Sequence, residues 1–326
     1  MPDSNSSVPS SATPASAAAA AKAASATRPA ETASVPPCPG LAPNLPASAT
    51  IYEPGIHSGW GLRIWRRMAA DLWKSRELIW SLFVRDFKAR YKQTLFGWAW
   101  ALILPIVAVG TFVFLNRSGV LTIGDVGVPY VAYALLGLTV WQVFAGGLVA
   151  CTNSIVAGGS MVVKINFPKE TLVIAAIGQA VVELLVRLIL VIAVFAWFRI
   201  VPARSAFLFP LSILPIFFLT MGLGFVFSLL NAVIQDVAYG VSLASTFLMF
   251  VTPVLYPARA GWFAKLSQYN PMAALVETPR DLVIRGIPAD LTAYTWSAAL
   301  GIVLFFLGWR VFKLAETRMA ERMGSR

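Results

Sequence analysis

Six apolar runs, each long enough to cross a bilayer, constrain this chain more than any other feature: Phe96–Leu115, Val131–Ala150, Leu172–Phe198, Phe207–Leu230, Val237–Tyr256 and Leu291–Trp309. Five contain no Asp, Glu, Lys or Arg, and the third contains one residue of each sign, Glu183 and Arg187. Hydrocarbon offers no hydrogen-bond partner to an open backbone, so segments of this kind cross as helices. With 58% hydrophobic and only 13% charged residues in 326, the pattern predicts an all-α integral membrane protein of six transmembrane helices.

The approach to the first run carries a second signal. RELIWSLFVRDFKARYKQT passes without a turn into LFGWAWALILP. At helical spacing Ile79, Phe83, Phe87 and Tyr91 share one stripe, while Arg85, Lys88 and Lys92 lie on another. That is the pattern of an interfacial amphipathic helix, its charged face wet and its aromatic face sunk. A soluble helix packed on a core is the other reading, and direct continuation into a span argues against it. Lys and Arg on the leader, the loop at Lys164 and Lys169 and the C-terminus number sixteen, against seven on the opposite connections. This asymmetry places both ends in the cytoplasm.

Residues 1–50 are dominated by Ala, Ser, Pro and Thr and read as a disordered tail, with an organelle transit peptide as a minor alternative. Residues 51–95 form the leader with its interfacial helix, 96–312 the six-span domain and 313–326 a basic C-terminus. The formal charge of +11 could point to nucleic acid, but the basic residues flank apolar spans, and anionic lipid headgroups are the simpler partner. His57 is the single histidine, which removes most zinc and triad schemes; Cys38 in the tail and Cys151 beside a span are the two cysteines, which argues against a disulfide framework and leaves no metal spacing. The dipeptide Gly-Lys is absent, which excludes a Walker phosphate loop and ATP hydrolysis by this chain. No catalytic constellation is evident, and no internal repeat supports an inverted-repeat transporter.

Pro257–Asp290 is a long connection, apolar in patches and interrupted by Pro271, Pro279 and Pro288. Short helices re-entering the outer leaflet between spans five and six fit it, as does an ordinary external loop. Glu183 and Arg187 stand four apart on one helical face, as a polar site at an interface or pathway or as a structural ion pair. Trp98, Trp100, Tyr133, Trp141, Phe250 and Tyr256 cluster towards span ends. Interfacial anchoring is the first reading for most of them, and an aromatic slide for a glycan is the second.

Several motifs in order resemble one family. RDFKARYKQTLFGWAWALILP (Arg85–Pro105) is similar to the entry of the first span in permeases of ABC polysaccharide exporters, which move O-antigen, capsule or teichoic-acid chains. VPYVAYALLGLTVWQVF resembles the second span, VVKINFPKETL the cytoplasmic segment before the third, and TPVLYP with YNPMAALVETPRDLVI the end of the fifth and the outer re-entrant region. The resemblance covers Leu78–Lys313. It implies a homodimer in the inner membrane, joined by two copies of a separate ATPase that binds ATP and Mg, with a lipid-linked glycan as substrate. It further implies ATPase contacts at Phe167, Pro168, Lys169 and Glu170 and at Asn231 and Asp236. The interfacial helix then contributes Phe83, Arg85, Asp86, Phe87, Arg90 and Tyr91, and Glu183 takes the place of an acidic residue frequent in the family's third span. Between Asn231 and Asp236 the family often has basic residues, whereas this chain reads AVIQ. A drug or lipid efflux permease, a membrane-embedded glycosyl- or acyltransferase and a structural membrane subunit are the competing readings.

Overall fold

A computed structural model describes residues 62–91, 99–119, 126–159, 161–162, 167–257, 267 and 269–324. The N-terminal tail and Trp98 lie outside these residues. The described helices are α1 (Leu62–Lys74), α2 (Arg76–Tyr91), α3 (Trp100–Arg117), α4 (Tyr130–Gly158), α5 (Glu170–Trp197), α6 (Leu214–Val233), α7 (Asp236–Val251), α8 (Pro271–Ile284) and α9 (Leu291–Gly324). A 3-10 turn at Arg204–Leu208 and a short helix at Phe209–Ser212 lead into α6. No strand occurs among the described residues.

Among the described residues, four segments are long and apolar enough to cross a membrane: Tyr130–Gly158, Glu170–Trp197, Arg204–Val233 and Leu291–Glu316. The first and fifth apolar runs form shorter apolar helices, Leu102–Leu115 within α3 and Asp236–Val251. The fifth run is shortened because its last residues, Thr252 to Tyr256, leave the helix as an irregular turn. The fourth is bent where Pro215 opens α6.

The most extensive packing joins α6 to α9, and glycine makes it possible. A Cβ on Gly308 would stand 2.1 Å from the carbonyl oxygen of Gly222, and one on Gly222 would stand 2.6 Å from the backbone of Leu304. Bare backbones at the crossing let two spans approach as close packing in lipid demands. Around α4, one apolar core gathers Trp141, Leu136, Ile216 and Leu275. A second core, at the end carrying the leader, gathers Phe225, Phe312, Met68 and Leu172.

The leader packs on the protein. From α1, Trp65 meets Phe306 and Trp309 edge-on at 5.2 and 5.7 Å and Met68 is fully buried, while Arg66 and Arg67 stay exposed. From α2, Leu82 is buried and Ile79, Phe83 and Phe87 are half-buried. The aromatic stripe expected to sink among lipids thus meets α5 over part of its area. The reason is a notch at Gly178, where a Cβ would stand 2.9 Å from the Phe83 ring. At the far end of α5, Arg199 takes the left-handed φ of 53°. With Ile200 N–H returning to the Phe195 carbonyl at 2.9 Å, it closes the helix in a position that glycine usually fills.

Candidate functional site

Small side chains open a groove of about 760 Å³ between α4, α5 and α7, with α2 at one margin. On α4 the lining steps at helical spacing through Gln142, Gly146, Val149 and Asn153, and α7 contributes Ser242, Ser245 and Thr246. Gly and Ala leave the volume, and amides and hydroxyls add polar patches to a lining that is mostly apolar. Arg85 and Asp86 of α2 also line it, joined to each other by a 2.7 Å ion pair. The remaining face of α7 points outward, with Tyr239, Leu243, Phe247 and Phe250 between 57% and 79% exposed.

The mid-span pair adjoins this groove. Arg187 Nη2 stands 3.1 Å from Glu183 Oε2, both side chains nearly enclosed. A Cβ on Gly146 would lie 3.8 Å from Glu183 Oε2 and 3.6 Å from Gln142 Oε1. The carboxylate therefore faces α4 where the groove is lined, and its pairing offsets the cost of burying either charge.

At the leader end, the motif FPKE turns inward. Phe167, Pro168, Lys169 and Glu170 are all buried, against the last turns of α9. Trp309 Nε1 donates to Glu170 Oε2 at 2.6 Å, and the backbone N–H of Lys169 donates to Glu316 Oε1 at 2.9 Å. Lys313 Nζ lies between the two carboxylates, 3.5 Å from Glu170 Oε1 and 3.1 Å from Glu316 Oε2. Burial holds the Lys169 ammonium below its ordinary range, and nearby Glu316 opposes that shift. Asn231 is buried as well: its Nδ2 donates to the Thr152 carbonyl at 3.1 Å, and its Oδ1 accepts from Ala238 N at 3.1 Å, fixing the turn into α7. Asp236, in the first turn of α7, is exposed.

The aromatic candidates separate. Trp141 lines the groove but is only 1% exposed, and Trp100 and Phe250 face outward. Tyr256 donates its hydroxyl to the Phe250 carbonyl. Tyr133 lies beneath Arg280, whose guanidinium carbon stands 4.0 Å from the ring centre. Arg280 was not expected as a site residue. Its Nη1 donates to Pro253 O at 2.9 Å and Val254 O at 3.3 Å, while Asn270 Nδ2 donates to Thr252 Oγ1 at 2.9 Å and Tyr130 to Leu255 O at 2.9 Å. TPVLYP and YNPMAALVETPRDLVI are thereby brought together, and the carbonyls of the irregular turn find donors. Of the α2 candidates, Phe83 meets α5 at Gly178 with Phe87 beside it, Arg85 and Asp86 line the groove, and the side chains of Arg90 and Tyr91 are outside the described ones. Gln142, Asn153, Ser242 and Thr246 escaped notice in the sequence, although their helical spacing inside apolar runs was a usable signal.

Three relatives share this length of chain. Two proteins of Klebsiella pneumoniae named O-antigen export system permease protein RfbA are 26% and 25% identical, over 73% of this chain and 91% of their own length in each case. A protein of that name from Myxococcus xanthus is 26% identical over 78% of this chain and 98% of its own. The family described as ABC-2 type transporter matches residues 77–283, from the first turn of α2 to the end of α8. With more than half of the sequence covered by that match, the chain belongs to the ABC-2 type transporter family.

Proposed function

We propose that this chain is the permease subunit of an exporter for a lipid-linked polysaccharide, O-antigen first among the candidates, across the inner membrane. As an ABC-2 family member it is an integral membrane transport subunit whose ATPase is a separate chain. In the proposal, two permeases and two ATPase subunits assemble, and the ATPase binds ATP and Mg. Six helices cross, α3 and α7 completing the four long ones; α8 re-enters from outside, and both termini are cytoplasmic.

The observation that carries this reading is the groove between α4, α5 and α7. Its lining, apolar over most of its area, presents hydroxyls and amides suited to a polyol and is bordered by Arg85, suited to a lipid-linked phosphate. The names of the three relatives support O-antigen as the substrate class. The exposed face of α7, rich in Tyr and Phe, suits a second copy of the chain across a shared path. The turn at Thr252–Pro257 supports the re-entrant reading, since irregular backbone at membrane depth requires the protein donors it has here.

Mechanistically, ATP binding draws the two ATPase subunits together and shifts the helices they touch. The work available equals the difference in ATPase affinity between the two permease states. Deleting the gene and analysing cytoplasmic lipid-linked glycans tests the proposal. Accumulation of undecorated lipid-linked polysaccharide, reversed by the intact gene, is expected. Normal surface glycan with no accumulation would reject it.

A further inference from the structure

A second concavity, of about 670 Å³, lies between α8 and the first turns of α9, away from the groove. Alanines create it: Ala273 and Ala274 on one wall and Ala293 on the other leave room where larger side chains would close the helix pair. Tyr269 and Trp296 stand at it with 88% and 72% of their surface exposed. Glu277 and Asp290 contribute carboxylates, the first 3.7 Å from Arg280 Nη2, and among the described residues the lining contains no Lys or Arg.

Exposed aromatics near a membrane surface often serve only as anchors. Here both rings border one concavity that also presents carboxylates and hydroxyls, and that combination is chemically specific. The apolar face of a pyranose stacks on an indole or phenol ring, and a carboxylate accepts from sugar hydroxyls. The two carboxylates disfavour a phosphate, whose charge they would repel. We infer that the cleft between α8 and α9 is an outer-face subsite for a neutral sugar unit of the exported chain, with Trp296 and Tyr269 as stacking platforms and Glu277 as the acceptor. This rests on the export reading and adds to it a place where emerging glycan is held after crossing.

The test uses the permease with its ATPase subunit in phosphatidylcholine nanodiscs, and oligosaccharides released by mild acid from the same organism's surface polysaccharide. Saturation-transfer NMR is expected to detect contact with sugar ring protons, with affinity about tenfold weaker for Trp296→Ala. Ala293→Phe narrows the cleft while keeping both aromatic side chains and is expected to weaken binding similarly; ATPase co-purification shows that both variants fold. Equal affinity in all three proteins overturns the subsite. So does displacement of the sugar by ethanolamine, which would make the cleft a lipid-headgroup site. Absence of binding by the unmodified protein also overturns it, and glycan accumulation in the deletion strain then shows whether the export reading stands without it.

Discussion

The indole N–H of Trp309 meets the Glu170 carboxylate at 2.6 Å, tying the last span to the first turn of α5 inside a fully buried contact. Lys313 and Glu316, one turn further along α9, complete the network. A movement of the segment before α5 is thereby passed to α9 and, through the glycine crossing, to α6.

Removing one member of such a network strands the others. Lys313→Met leaves Glu170 and Glu316 buried without their shared cation, at an expected cost of about 3–5 kcal/mol. Glu170→Gln added to Lys313→Met should recover more than half of that loss, because the amide oxygen still accepts from Trp309. Thermal melting of the detergent-purified complex reads both, and an unchanged midpoint in Lys313→Met would show that the network contributes nothing.

Much of this was legible in the sequence, for physical reasons. Apolar runs announce spans because lipid imposes length and composition directly, so α5 matches its run closely, α4 and α9 contain theirs and run on past the end, and α6 holds the later part of its own. Glu183 and Arg187 pair as their i,i+4 spacing requires. What escaped depends on contacts distant in sequence. FPKE reads as a polar surface segment, and only the arrival of Trp309, Lys313 and Glu316 over a hundred residues later buries it. Arg280 looked like a loop cation until the turn at Pro253 and Val254 supplied its carbonyls. The stripe of α2 gave the correct face, but its covering by α5 depends on Gly178.

Gly308→Leu should separate α6 from α9, since even a Cβ would sit 2.1 Å from the Gly222 carbonyl oxygen. Overpacking of this kind costs about 1–3 kcal/mol or more. Gly240→Ala, with nothing within 4 Å of the added carbon, is the neutral control. Fluorescence-detected size-exclusion profiles after heating should lose the first variant and retain the second; equal retention would refute the crossing.

Arg280→Lys keeps the charge but loses the planar fork and the stack on Tyr133. The carbonyls of Pro253 and Val254 then lose their paired donor, and the turn should open. Limited proteolysis of the purified complex is expected to cleave near residues 252–257 faster in Arg280→Lys than in the unmodified protein. Identical cleavage rates would mean that the guanidinium does not hold the turn.

Glu183→Ala leaves Arg187 within a span without its carboxylate, and insertion scales price such a residue at about 2.5–3.5 kcal/mol. Glu183→Ala should lower the yield of assembled permease, and Glu183→Ala with Arg187→Leu should restore it. If the double variant restores assembly and not surface glycan, the pair acts in the path next to Gln142. Normal yield and glycan in the single variant would rule out both roles.

The two residues at the turn into α7 make opposite predictions about the ATPase. Asn231 is buried and organises the backbone of three helices, so Asn231→Ala removes several hydrogen bonds at about 1 kcal/mol each and should lower the melting midpoint. Asp236 is exposed at the same end and holds no described ion pair, so its replacement should leave the fold intact. If this end receives the ATPase, Asp236→Lys inverts a charge at the contact and reduces ATPase co-purification at unchanged melting, more strongly in low salt than in high, because exposed charges are screened. Asn231→Ala should reduce both quantities together. Unchanged co-purification for Asp236→Lys at every salt concentration would move the contact elsewhere. The segment before α5 would then be the remaining candidate, acting through its buried link to Trp309.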